Sequence, residues 1–349
     1  MTPNSFHKLR SALLAVLCSL ALGLSSCDSF IYEDEGDCDP YYRVKFIYDM
    51  NMKYADAFAQ EVNSVTLYLA DPATGAIVWS KHESGDALRS AGYEMEVPVD
   101  PGRYTLIAWA GDGHRTHFAI PEVNVHTGLQ CTMGRDHDEA GNAFVDHDLD
   151  RLYHGVLENQ EFPSTQGIHY YTVPLMKNTN DVTVLLQHVS GTPVDPALFD
   201  FTITDDNGLM DWNNAVLPDE TITYWAHETS SGTASFDPDP NAPAGRAPIV
   251  EYSAAIAEHT MARLMKSHEN STRLTIRNHA TGEIVLSIPL VKYVLLVKGY
   301  HNRPIEDQEY LDRQDHYSLT FFLDEGNRWV RTHIYINSWK IVDLPPITL

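Results

Sequence analysis

From residue 40 onward, apolar and polar positions alternate with a period of two, the mark of half-buried β-strands. "YRVKFIY" (42–48) puts Tyr42, Val44, Phe46 and Tyr48 on one face, and "NSVTLYLA" (63–70) does the same with Val65, Leu67 and Leu69. Turn chemistry punctuates the strands. "DPATG" follows residue 70, and "DPG" (100–102) separates "YEMEVPV" from "RYTLIAWAG", which predicts a hairpin over 93–111. A second series starts near 172. It holds "NDVTVLLQHV" (180–189), "FDFTITDDNG" (199–208) with Phe199, Phe201 and Ile203 on one face, and hairpins around "HATG" and "DEGN" within 273–290 and 317–342. A short helix fits 50–62, the stretch 252–267 suits either helix or strand, and Pro/Gly-rich 237–248 reads as a loop. Many short strands without βαβ alternation predict an all-β chain of antiparallel β-sandwiches. Its length suits two of them, 41–172 and 173–349.

The first 40 residues follow another pattern. A basic start (His7, Lys8, Arg10) precedes an apolar core from Ala12 to Leu24, which is too short to span a bilayer and matches a secretory signal peptide. It ends on Leu24-Ser25-Ser26-Cys27, which resembles a bacterial lipobox, and no A-x-A-like cleavage site competes nearby. Residues 1–26 are therefore expected to be removed and Cys27 acylated. One acyl chain binds a membrane marginally, whereas several, at about 0.8 kcal/mol per buried CH2, hold it stably. The acidic stretch 27–40 reads as a tether. Cleavage removes Lys8 and Arg10 but no acid, so the formal charge moves from −24 to −26. Such a field repels nucleic acid and anionic lipid, so neither is an expected partner except for the membrane reached through the lipid.

Two cysteines remain, Cys38 and Cys131. In an exported chain an even pair favours a disulfide, and a loop this long would contribute roughly 4–5 kcal/mol in the chain-entropy treatment. The 17 histidines raise a metal hypothesis, centred on His137, His147 and His154 within 134–155. None has the compact spacing of a zinc site, "DHDEAG" (136–141) lacks the oxygen ligands of a calcium loop, and "TDDNGLMD" (204–211) reads first as an Asn-Gly turn. No nucleophile elbow, phosphate-binding loop or dinucleotide glycine pattern occurs. No catalytic residue, cofactor, metal or small-molecule substrate is expected, and the chain reads as a non-enzyme. Trp109, Trp329 and Trp339 fall in strand patterns and suit a core, whereas Trp212 and Trp225 are candidates for a carbohydrate-binding face.

Several segments in order carry a family resemblance: the lipobox at Cys27, "GDC" (36–38), "YRVKFIYDMN" (42–51), "PGRYTLIAWAG" (101–111), "RLYHG" (151–155), "VPLMKNTNDVTVLL" (173–186), "FTITDDNG" (201–208), "EYLDRQDHYSLTFFLD" (309–324) and "IYINSWKIV" (334–342). Together they resemble the FimB-like fimbrial anchor lipoproteins of the Bacteroidetes type V pilus system. The resemblance implies two transthyretin-like sandwiches behind a lipidated N-terminus, set in the outer membrane and facing outward. It also implies fimbrial stalk subunits as partners and a role in limiting pilus length. Stalk subunits of that system lose an N-terminal strand and accept a neighbour's. An anchor cut before Tyr42–Tyr48 would lose its lipid, so this chain is expected to keep that strand. The alternatives are a tip or accessory subunit, and a surface glycan-binding lipoprotein.

Overall fold

The structure is a computed structural model that describes residues 39–112, 117–236, 250–300, 304–330 and 334–341. The expected signal peptide, Cys27, Cys38, the loop at 237–248 and the C-terminal "VDLPPITL" lie outside the described residues. The alternating segments of the first half form β1 (Pro40–Ile47), β2 (Ser64–Ala70), β3 (Ile77–Ser84), β4 (Met95–Glu96) and β5 (Gly102–Gly111). The chain then runs through four short strands, β6 (Phe118–Ala119), β7 (Cys131–Met133), β8 (Asp136–His137) and β9 (Ala143–Val145). It returns in β10 (Leu152–Phe162), β11 (Gly167–Pro174) and β12 (Met176–Lys177). Two sheets, ordered β11-β1-β4 and β12-β10-β5-β2-β3, enclose one hydrophobic core that includes Tyr42, Val44, Phe46, Val65, Leu67 and Leu69.

The second half contributes β13 (Thr179–His188), β14 (Phe199–Asp205), β15 (Leu209–Met210), β16 (Ile222–Trp225), β17 (Glu228–Phe236) and β18 (Val250–Ala262). After them come β19 (Arg273–Asn278), β20 (Ile284–Pro289), β21 (His316–Leu323), β22 (Ile334–Ile336) and β23 (Trp339–Ile341). They form sheets ordered β17-β18-β13-β21-β22-β23 and β20-β19-β14-β16-β9-β8 around a second core, with β15-β7-β6 as a small third sheet. Thus β7, β8 and β9, which precede residue 173, hydrogen-bond into the sheets of the second half. Cys131 is buried in that second core. The helices are short: α1 (Phe58–Glu61), α2 (Leu290–Val294) and α3 (Asp307–Arg313).

The all-β sandwich class is the one the alternation predicts, with two differences in detail and one open assignment decided. The pairs β1·β11, β13·β21 and β16·β9 run parallel. The 93–111 segment is not a hairpin: β4 pairs with β1, whereas β5 pairs with β2 and β10, so "DPG" carries the chain from one sheet to the other. The stretch 252–267 is largely strand, because β18 lies between β13 and β17 and both neighbours supply ladder partners. Cross-strand partners there override the helix propensity of its alanines.

Polar contacts tie the two cores together. Asn178 donates to Asn214 Oδ1 (2.6 Å), and Asn214, in the left-handed region at φ 68°, donates back to Asn178 Oδ1 (3.1 Å). The Arg263 guanidinium donates to the Asn214 carbonyl (2.9 Å) and forms a buried two-pronged pair with Asp312 (2.8 and 2.9 Å). Lys177 Nζ, almost fully enclosed, lies 2.8 Å from Asp315. Arg313 donates to the Asp49 carbonyl (3.0 Å), with its guanidinium over the Tyr54 ring.

Candidate functional site

Strand β1 is the described strand nearest Cys27 in sequence. It begins at Pro40, and twelve residues separate it from Cys27, a span of at most roughly 40 Å when fully extended. β1 is the middle strand of its sheet. It pairs along its whole length with β11, from Pro40 opposite Gly167 to Ile47 opposite Pro174, and on its other edge with β4 at Arg43 and Val44. Tyr42, Val44 and Phe46 point into the core, and Tyr48 is buried just beyond the strand. The Tyr42 hydroxyl donates to the Pro163 carbonyl (2.7 Å), and the ring packs tilted against Phe162 with centroids 4.6 Å apart. The outward residues Arg43 and Lys45 both pair with Glu94, at 3.1 and 3.0 Å. In the full chain its own β1 occupies this place in the sheet.

The candidate metal ligands do not converge. His154 is buried, donates from Nε2 to the Trp212 carbonyl (2.8 Å) and meets Trp109 edge-on. His137 lies beside Glu220 (3.2 Å), and His147 lies beside Asp146 (3.6 Å) and packs on His117. In "DHDEAG" the Asp138 carboxylate accepts the Ala140 and Asn142 amides and the Asn142 side chain, which hold its pKa down and close the turn. The stretch "TDDNG" is likewise structural. Asn207 is buried, donates to the Ala262 and Arg263 carbonyls and accepts from Tyr224 (2.7 Å). Among the described residues, Asp205, Asp206 and His268 are the group whose ligand atoms lie close together. Thr272 and His268 already bond to Asp205, and burial raises its pKa.

Of the two tryptophans singled out, Trp212 packs edge-on against His126 and onto the larger core, a structural position. Trp225, at the end of β16, stands 39% exposed. Trp109 is buried as expected, but Trp339 is not a core residue: it is 43% exposed on β23, the last strand of its sheet. Trp225 stands on the outer face of the sheet β20-β19-β14-β16-β9-β8. Its cross-strand neighbour is Thr202, which faces Thr275 on the next strand; Thr223, Thr204 and Arg273 form the adjacent row. The inward set of the same strands is Phe199, Phe201, Ile203, Ile222, Tyr224, Leu274 and Ile276, all buried. The outward threonines were legible as the polar half of the alternation, but nothing local in the sequence makes β14, β16 and β19 neighbours. At the edge of the sheet, β20 borders a groove of about 710 Å³ lined by Ile284–Ser287 and, across it, Gly326–Trp329. Such an edge can take an added strand, since it offers backbone groups beside side-chain pockets.

A sequence profile of the fimbrillin-A associated anchor proteins Mfa1 and Mfa2 matches residues 34–344. The chain belongs to this family of fimbrial anchor proteins. It is similar to the minor fimbrium anchoring subunit Mfa2 of Porphyromonas gingivalis, with 25% identity and 98% of each chain covered. Among solved structures it resembles a candidate adhesin of Bacteroides thetaiotaomicron, at 31% identity and TM-score 0.76, covering 89% of this chain and 100% of that one. A second Bacteroides thetaiotaomicron structure, described as a candidate polysaccharide-binding protein, matches at 29% identity and TM-score 0.72, covering 88% of this chain and 99% of that one. The family is one of structural fimbrial anchor proteins, not of enzymes. Among the described residues, no helix is long and apolar enough to cross a membrane.

Proposed function

We propose that this chain is a surface lipoprotein that roots a fimbria in the outer membrane through acyl chains on Cys27, binds fimbrial subunits and limits fimbrial length, without catalysis. The observation that carries the reading is the placement of β1. A strand paired on both edges, with three core side chains, follows the acylated cysteine after only twelve residues. A pull on the body is thereby transmitted through a full ladder of main-chain hydrogen bonds to the lipid end. The β20 edge offers a surface for an extended segment of a subunit. The Cys38–Cys131 disulfide stays part of the proposal, pinning the tether to the second core where Cys131 is buried.

Fractionation tests the lipid link. Wild-type protein is expected to sediment with outer membranes, and Cys27→Ala protein to appear in soluble fractions, because the loss of all acyl chains removes the binding term. Equal membrane retention of both would refute lipid anchoring at Cys27.

A second reading, favoured by Trp225 on an open polar face, is that the chain also binds a surface glycan. It is compatible with anchoring, since Trp225 and β1 belong to different sheets.

A further inference from the structure

We propose that the outer face of the sheet around Trp225 is a binding site for a polysaccharide that carries carboxylated sugars. This rests on the glycan-binding reading and names its site and ligand chemistry. A single exposed aromatic is ordinary on a protein surface and carries nothing alone. Here the ring stands between two grooves of about 820 and 660 Å³, so it forms a ridge with room on both sides. Both lie in the size range of ligand clefts. The apolar face of a sugar ring stacks on such an indole, while its hydroxyls need donors and acceptors close by. The threonines 202, 204 and 223 supply them, in two rows set by the strand register.

The charge of the larger groove selects among sugars. The protein as a whole is strongly acidic, at −24. Yet Arg273, Arg277 and Lys292 all line this one groove. Its acid, Asp200, is opposite Arg277 in register, but its carboxylate accepts from His279 Nδ1 at 2.8 Å, and Arg277 reaches the Gly282 carbonyl instead. The Arg277 guanidinium is therefore not engaged by the Asp200 carboxylate. The smaller groove has the opposite character, with Asp138 and Asp146 in its wall. Two strand spacings, roughly 10 Å, separate the Trp225 column from the β19 arginines. A chain stacked on Trp225 thus places a neighbouring carboxylate over the cations, where Arg–carboxylate pairing is strong and directional.

The test uses full mature protein in detergent, titrated calorimetrically with polygalacturonate oligosaccharides and with their methyl esters, which keep the backbone and lose the charge. Wild type is expected to bind the acid form more tightly than the ester. Trp225→Ala should weaken both at least tenfold, and Arg277→Gln should weaken the acid form several-fold while leaving the ester unchanged. Unaltered melting temperatures in both variants exclude misfolding as the cause. Wild-type binding that Trp225→Ala leaves intact overturns this site but keeps the glycan reading. No binding by wild type to either form, or to neutral xylan and mannan, overturns both. Capture of a purified fimbrial subunit through this face, lost in Trp225→Ala and without glycan binding, also overturns the proposal.

Discussion

Asp312→Ala is expected to destabilise the protein by about 3–5 kcal/mol and to lower Tm by roughly 10 °C, the cost of leaving a buried guanidinium without its partner. The pair is enclosed: Arg263 is 8% and Asp312 7% exposed. Three further bonds depend on its geometry. Gln308 donates to Asp312 (2.9 Å), Arg263 donates to the Asn214 carbonyl, and Asn214 holds Asn178 across the junction of the two cores. Loss of Asp312 therefore loosens α3, the 211–216 loop and the junction together. Asp312→Asn, which keeps the shape and one acceptor, should cost less. Thermal melts of the two variants check this, and an unshifted Tm in Asp312→Ala contradicts it.

Acidification is the second large effect. His154 and His259 are buried, and burial lowers the pKa of each from 6.5 to about 4. For His259, the nearby Val182 and Phe201 carbonyls, both at 3.3 Å, offset only part of that burial. The folded state thus holds both rings neutral, while the unfolded chain takes up protons near pH 6.5. Between pH 6.5 and about 4 the unfolded state binds more protons, so stability falls as pH falls and the penalty is complete below about 4. Each ring contributes roughly 3 kcal/mol across that window. Asp181 and Asp205, whose pKa values burial raises above the ordinary carboxylate value, oppose this trend where they take up protons. Denaturant titrations at pH 7.5, 6, 5 and 4.5 should show the decline. The double variant His154→Gln/His259→Gln should start less stable and show a flatter profile. A wild-type stability that is constant from pH 7.5 to 4.5 contradicts the assignment.

The side-chain faces of the strands were legible because period-two alternation is a local property. Phe199, Phe201 and Ile203 point inward as their spacing predicts, and the same parity puts Thr202 and Trp225 outward. Partner choice was not legible. The "DPG" turn sets a bend at 100–102, but whether the strand after it pairs with the one before depends on sheets assembled from β2, β10 and β1. β18 was ambiguous for the same reason, since small residues suit either a helix or a strand flanked on both sides. Long-range polar contacts join residues far apart in sequence, such as Arg263 with Asp312 and Lys177 with Asp315, and leave no periodic trace. Asn207 shows a different limit. Its sequence context suits an exposed turn, yet its side chain closes three buried bonds, which only the fold creates.

The central claim is that the fimbria is held to the cell through this chain's lipid. Its most direct test is to delete the gene, complement with wild type or with Cys27→Ala, and quantify fimbrial protein on cells and in the medium. Anchoring predicts that deletion yields longer or shed fimbriae, that wild type returns them to the cell, and that Cys27→Ala leaves them in the medium. Fimbriae that stay on the cell in normal number and length after deletion would contradict it.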